Sequence, residues 1–347
     1  MPPKKHIRVV IADDSLVARE MLAQILATDP DIEVVGQAKN GEEAVDLVAN
    51  LRPDLVTMDI HMPKMDGLAA TEKIMAYTPT PILVVSSSVH GEGMGSAFDA
   101  LKRGALEVIK KPEPKEWADL ERIGRDVLRK VKVLANVRVI THIHGRRSHA
   151  RSVTIDEVAG NAERRIVAIG SSTGGPSALL SVLAKLPADL PVPVLVAQHI
   201  ADGFIPGLVS WLDGGAKIKV VAATDGERPK PGTVYFAPTG SNMVIDGSTI
   251  RFQPAGAGQL YIPSADTLFE SVARSFGKRS IGVILTGMGA DGANGLKVMH
   301  DIGAATIAQN EETCTVFGMP RAAIELGAAS KVLPIEDVAD GILEYLG

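Results

Sequence analysis

Leu55-Val56-Thr57-Met58-Asp59-Ile60-His61-Met62-Pro63-Lys64-Met65-Asp66-Gly67 reads as a strand, a carboxylate, a turn and the start of a helix. The strand-favouring run stops at Asp59, Pro63 and Gly67 punctuate the turn, and a helical pattern follows over Gly67–Tyr77. The same unit recurs on both sides. Short apolar runs at Ile7–Ala12, Glu33–Ala38, Ile82–Val85 and Glu107–Ile109 alternate with helical patterns at Leu16–Leu26, Glu42–Leu51, Met94–Arg103 and Trp117–Val133. Five βα units in a row predict a parallel sheet covered by helices on both faces. Such a sheet carries its functional residues just past the carboxyl ends of its strands.

The rhythm stops after about Asn136. Residues 137–161 contain His142, His144 and His149 among Arg146, Arg147 and Arg151, with little helical periodicity. No cysteine or carboxylate accompanies those histidines at ligand spacing, so a solvated basic linker is favoured over a metal site. A second α/β region opens at Arg165-Ile166-Val167-Ala168-Ile169. Further strands are expected at Val194–Ala197, Val234–Ala237, Ile281–Leu285 and Ala305–Ala308. Helices are expected at Ser177–Leu186, Thr267–Phe276, Gly292–Ile302, Met319–Leu326 and Ile335–Leu346. The Gly- and Pro-rich stretch from Ala222 to Pro263 predicts a β-hairpin or two interrupting the units. The expected architecture is therefore α/β, with two doubly wound parallel-sheet domains at 1–136 and 162–347 joined by the 137–161 linker.

At 347 residues the chain can bury two cores. Its net charge of −5 gives no footprint for nucleic acid. No apolar run is long enough to span a bilayer, so direct membrane insertion is not expected. Met1–Arg8 leads into a strand too short for a signal-peptide core. Cys314 is the only cysteine, which excludes an internal disulfide and fits a reducing, cytoplasmic setting.

Asp13 and Asp14 follow the first strand, Asp59 the third, Ser86 ends the fourth and Lys111 follows the fifth. These strand ends converge on one sheet edge. Three carboxylates there repel, and a divalent oxygen-preferring cation such as Mg²⁺ would offset that and bridge a phosphoryl group to Asp59. The segments Ile11–Ser15, Met58–Gly67 and Lys110-Lys111-Pro112 resemble a response-regulator receiver domain, which implies a flavodoxin-like fold. By that resemblance Asp59 accepts phosphate from a histidine kinase, Asp13, Asp14 and Asp59 hold Mg²⁺, and Ser86 and Lys111 read the phosphoryl group. Receivers often carry an aromatic three residues before the lysine. Val108 stands there, which argues against a rotating-aromatic switch.

Gly170-Ser171-Ser172-Thr173-Gly174-Gly175 places Ser172 in the Gly-x-Ser-x-Gly spacing of a nucleophile elbow between strand and helix. The run lacks a P-loop's Gly-Lys-Ser/Thr and a dinucleotide fold's Gly-x-Gly-x-x-Gly, so simple phosphate binding is disfavoured. A serine hydroxyl needs a base at neutral pH. His6 precedes the first strand, His61 and His90 belong to the receiver, three histidines lie in the linker, and His300 falls inside a helix. His199 follows Val194–Gln198, and Asp291 follows a strand through a glycine-rich turn, where it can fix the imidazole tautomer. The order Ser, His, Asp matches none of the common hydrolase orders, which disfavours a familiar lipase fold but not the chemistry.

Ala168–Gly175, Gln198-His199, Pro263–Phe269, Leu285–Gly292 and Phe317–Arg321 together resemble the protein-glutamate methylesterases of bacterial chemotaxis, the CheB family. That resemblance covers essentially the whole chain. It implies hydrolysis of glutamyl methyl esters on chemoreceptors, with glutaminyl deamidation possible at the same site and no cofactor for the ester chemistry. Ser172 becomes the nucleophile, His199 the base and Asp291 its orienter, with backbone amides near Thr173 and Met288 as oxyanion donors. Family members commonly have His two residues before Pro-Ser-x-Asp; Tyr261 stands there. A receiver on such an output domain implies phosphorylation-controlled activity, by occlusion of the second-domain strand ends or by altered receptor affinity. A transcription factor is disfavoured because no basic recognition helix follows residue 136. Intact Ser172, His199 and Asp291 argue against a non-catalytic scaffold.

Overall fold

The computed structural model describes residues 6–87, 93–112, 117–137, 139, 166–256, 259 and 261–347. The chain divides into two units, Met1–His149 and Ala150–Gly347. Apart from Val137 and Val139, the linker expected over 137–161 lies outside the described residues, as does His90.

The first unit runs β1 (Ile7–Ala12), α1 (Leu16–Ala27), β2 (Ile32–Ala38), α2 (Gly41–Leu51), β3 (Leu55–Met58), α3 (Gly67–Tyr77), β4 (Ile82–Ser86), α4 (Gly93–Lys102), β5 (Glu107–Lys110) and α5 (Trp117–Leu134). Its sheet has the order β2-β1-β3-β4-β5 with every pairing parallel. Val9, Ile11, Leu55, Leu83 and Val85 on one face pack against Leu22 and Leu26 of α1 and Val127, Val131 and Leu134 of α5. Ser15, Asn40 and Asp66 cap α1, α2 and α3 by accepting amide hydrogen bonds from Ala18, Glu43 and Ala69. Each such cap contributes about 1 kcal/mol and sets where a helix leaves the functional edge.

The second unit runs β6 (Ile166–Ser171), α6 (Gly175–Leu183), β7 (Val194–Gln198), α7 (Ile205–Gly215), β8 (Lys219–Ala222), β9 (Thr233–Phe236), β10 (Asn242–Asp246), β11 (Thr249–Gln253), α8 (Ala265–Phe276), β12 (Ser280–Ile284), α9 (Ala293–Asp301), β13 (Ala305–Gln309), α10 (Met319–Glu325), β14 (Lys331–Leu333) and α11 (Ile335–Leu346). Its parallel sheet has the order β14-β13-β12-β6-β7-β9-β8. From β6 the chain proceeds to β7 on one side, while β12, β13 and β14 are added on the other. The boundary between β6 and β12 is thus the topological switch point, where doubly wound sheets open a crevice. Leu268, Phe269 and Val272 of α8 belong to one buried cluster with Ala168, Leu195 and Ile284 of the sheet.

Three elements depart from the sequence pattern: α7, β8 and β14. Pro206, Gly207, Gly214 and Gly215 make α7 read as a loop, yet it buries Ile205, Leu208, Trp211 and Leu212. Tertiary burial, not propensity, holds that helix. The Ala222–Pro263 region supplies strand β9 to the main sheet and one antiparallel hairpin, β10–β11, among the described residues. No helix of the described residues is long and apolar enough to cross a membrane.

Candidate functional site

In the first unit, Asp13 and Asp59 are buried and Asp14 is exposed at the ends of β1 and β3. One carboxylate oxygen from each lies within 4.8 Å of the others. Lys111 Nζ sits 2.7 Å from Asp13 Oδ2 and 3.1 Å from Asp59 Oδ2. The Lys111 amide donates to the Ser86 carbonyl at 2.9 Å, so the ends of β4 and β5 bring Ser86 alongside Lys111. Burial raises the Asp59 pKa above the usual carboxylate range; Lys111 opposes this and Asp13 adds to it. Burial alone would lower the Lys111 pKa, but its two carboxylate partners hold it above its ordinary value.

This donor set fits a hard divalent cation such as Mg²⁺. All three groups are oxygen donors, and buried Asp13 Oδ2 accepts no hydrogen bond, its lysine contact being an ion pair off the hydrogen-bonding direction. Arg19, on α1, was not singled out from the sequence. Its Nη1 donates to the Asp13 carbonyl at 2.7 Å and the Asp14 carbonyl at 3.2 Å, fixing the acidic turn from behind. A single arginine on a surface helix reads as solvated, and nothing in its spacing signals this contact. Val108 is buried as an ordinary core residue.

In the second unit, Ser172 follows β6 in a turn closed by its amide to Thr286 O (3.0 Å) and by the Gly175 amide to its own carbonyl (2.8 Å). Gly174 has φ +75°, and a Cβ there would meet Thr315 Cβ at 2.4 Å, so the turn needs glycine. The His199 amide donates to Ser171 O at 3.0 Å, which sets the ends of β6 and β7 side by side. Gln198, fully buried, ties them further. Its Nε2 donates to the carbonyls of Ser172 (2.9 Å) and His199 (2.8 Å), while its Oε1 accepts from Ser171 Oγ at 2.6 Å.

His199 Nε2 lies 2.8 Å from Asp291 Oδ2. That carboxylate also accepts from Ser264 Oγ (2.8 Å), the Ala265 amide (2.7 Å) and the Asp266 amide (3.2 Å), the first turn of α8. Burial opposes ionisation of Asp291. The His199 contact and these donors more than offset it and hold the pKa below the ordinary value. An ionised Asp291 assigns the ring proton to Nε2 and leaves a lone pair on Nδ1. Nδ1 is buried and has no hydrogen-bond partner, so Ser172 Oγ is not bonded to it in this structure. Ser172 is 9% exposed.

Thr173 follows the serine, and its carbonyl accepts from Thr286 Oγ1 at 2.9 Å. Met288 follows Gly287, whose amide donates to Val316 O and whose carbonyl accepts from Gly318 and Met319. Both oxyanion candidates therefore sit on loops pinned at the same edge. Ser264 and Gln198 had no role assigned from sequence. Ser264 carries a cap signal, a serine directly before a helical pattern; the contact of Gln198 has none. Tyr261 stacks on the His199 ring, with centroids 4.8 Å apart and planes 5° apart. Burial pushes the Cys314 thiol up to about 12, so it stays a protonated packing group.

One unit presents a receiver-type acidic edge, and the other presents a serine, an imidazole and a carboxylate along the carboxyl edge of a doubly wound sheet. The model of the CheB methylesterase family matches residues 167–342, and that of the response regulator receiver domain matches residues 9–119. A protein-glutamate methylesterase/protein-glutamine glutaminase 2 of Anaeromyxobacter dehalogenans is 44% identical over 98% of this chain and 97% of its own length. A protein-glutamate methylesterase/protein-glutamine glutaminase 1 of Syntrophus aciditrophicus is 43% identical over 98% of this chain and 99% of its own. The solved CheB methylesterase catalytic domain of Thermotoga maritima is 37% identical, covers 52% of this chain and 98% of its own, and superposes with a TM-score of 0.50. The chain belongs to the CheB methylesterase family.

Proposed function

We propose that this protein hydrolyses glutamyl methyl esters on chemoreceptors, and deamidates glutaminyl side chains at the same site, under control of phosphorylation at Asp59. One observation carries the ester chemistry: His199 is held by Asp291 through Nε2 while its buried Nδ1 has no partner, at the strand end beside Ser172. Ser172 Oγ attacks the ester carbonyl and its proton passes to His199 Nδ1. Collapse of the tetrahedral intermediate returns that proton to the departing methoxide, releasing methanol. Water then attacks the acyl-enzyme by the same base and frees the glutamate. Backbone amides at Thr173 and Met288 are the oxyanion donors. The serine–imidazole hydrogen bond commonly tightens only when substrate binds, which accounts for its absence here.

In the first unit a histidine kinase is the phosphodonor and Asp59 the acceptor. Asp13, Asp14 and Asp59 would hold Mg²⁺, which when bound neutralises charge on a transferring phosphoryl group. Lys111 and Ser86 contact the phosphoryl oxygens. Methanol release from methylated receptor, measured with and without a small phosphodonor and Mg²⁺, tests the whole reading. Wild type is stimulated, and Ser172→Ala loses at least about 10³-fold of its turnover. A Ser172→Ala variant with wild-type turnover refutes the assignment.

A further inference from the structure

We propose that Tyr261 is a positioning residue for His199, holding the imidazole on Asp291 and seating the loop that carries Met288. The inference rests on the serine–histidine–aspartate reading above and goes beyond it. The ring contact is a parallel stack, so the phenol lies face to face with the imidazole and leaves the Nε2–Asp291 bond in place. Asp291 fixes the ring at Nε2 alone, and a single hydrogen bond leaves the imidazole free to tilt about the Nε2–Oδ2 line. A flat neighbour only 5° from coplanarity removes that freedom.

The same side chain reaches the opposite wall. Gly289 has φ +86°, and a Cβ there would meet the Tyr261 hydroxyl at 2.6 Å. The hydroxyl end of Tyr261 therefore lies against the turn directly after Met288. One aromatic residue thus spans from the base to the loop of a proposed oxyanion donor. It also contributes chemically: when the serine proton arrives, the imidazole becomes a cation facing an aromatic π surface, an attractive arrangement. A positioning role of this kind acts on the reacting state, not on substrate docking, so it falls on kcat and not on KM.

The test uses the full-length protein and methylated receptor, with the phosphodonor held constant. Tyr261→Phe keeps the ring on the imidazole and gives up the hydroxyl against the Gly289 turn, so it costs kcat no more than about threefold. Tyr261→Ala, and Tyr261→Leu to fill the space without a planar face, lower kcat by about tenfold to a hundredfold with KM unchanged. The decisive arm measures the rate at which a fluorophosphonate labels Ser172. Tyr261→Leu slows labelling in the wild-type background but not in the His199→Ala background, because it acts through the imidazole. Wild-type kcat in both the Ala and Leu variants overturns the proposal. So does a loss in Tyr261→Phe as large as in Tyr261→Leu, or an equal fractional slowing in the His199→Ala background. Failure of the underlying triad reading is a different result: Ser172→Ala would retain turnover, or the label would appear on another residue.

Discussion

Asp59 and Asp291 occupy equivalent places in their folds and behave in opposite ways. Each is a buried carboxylate in the connection after a parallel strand, Asp59 directly behind β3 and Asp291 at the far end of the glycine-rich turn behind β12. Around Asp59 stand another buried acid, a third carboxylate nearby and one lysine; burial and Asp13 push its pKa up. Around Asp291 stand a serine hydroxyl, two amides of a helix start and an imidazole; together these outweigh burial and its pKa goes down. The fold supplies a position, and the neighbours decide its chemistry. A crowded carboxylate under-supplied with donors suits a cation and a phosphoryl group, whereas a carboxylate wrapped in donors suits permanent ionisation and orientation of a base.

The largest effect that can break this contrast is at the donor-rich site. Asp291→Asn keeps the shape but removes the charge that selects the Nε2–H tautomer, and kcat for methanol release should fall by roughly 10⁴. A fall of only a few-fold would mean that the carboxylate is structural. At the crowded site, Asp59→Asn should abolish stimulation by a phosphodonor while leaving unstimulated turnover in place. The same variant should melt at a higher temperature than wild type at neutral pH. The sign follows from linkage: a carboxyl whose folded pKa is raised loses stability as pH climbs above the ordinary value of 3.8, so removing the charge relieves the fold. A lower melting point would show that Lys111 more than balances the crowding. A smaller effect tests the wrapping itself. Ser264→Ala removes one charge-assisted hydrogen bond, and kcat should drop about tenfold with KM unmoved.

The smallest effect is in acid. Asp291, with its pKa lowered, contributes stability above its unfolded value of 3.8 that is lost as pH falls through the folded one. Acid titration of the unfolding transition should therefore be shallower in Asp291→Asn than in wild type. Equal slopes would remove this carboxylate from the acid-sensitive set.

The first unit was largely legible in the sequence because its signals are local: apolar runs, the Pro63 and Gly67 that punctuate the turn after Asp59, and acids directly at strand ends. Ser172 and His199 directly follow apolar strands and Asp291 follows one through a glycine-rich turn, so their placement along one sheet edge was readable from local pattern, while their roles rest on the proposed function. What stayed hidden depends on distant parts of the chain meeting. The helix at Ile205–Gly215 is disguised by its one proline and its glycines and exists because Trp211 and Leu212 are buried. Gln198 gains its role from two carbonyls on neighbouring strand ends, and Tyr261 from a ring more than sixty residues away in the chain. Arg19 is the local exception: it reaches back past the start of α1 to the carbonyls of Asp13 and Asp14, a contact that charge patterning does not encode.

The carboxylate of Asp291 also closes the amino end of α8, so one group finishes a helix and steadies a base. Fraying of that first turn and misalignment of the imidazole are then a single event. Deuterium uptake at the Ala265 and Asp266 amides would accordingly report, in the resting enzyme, the fraction of molecules whose reaction centre is assembled.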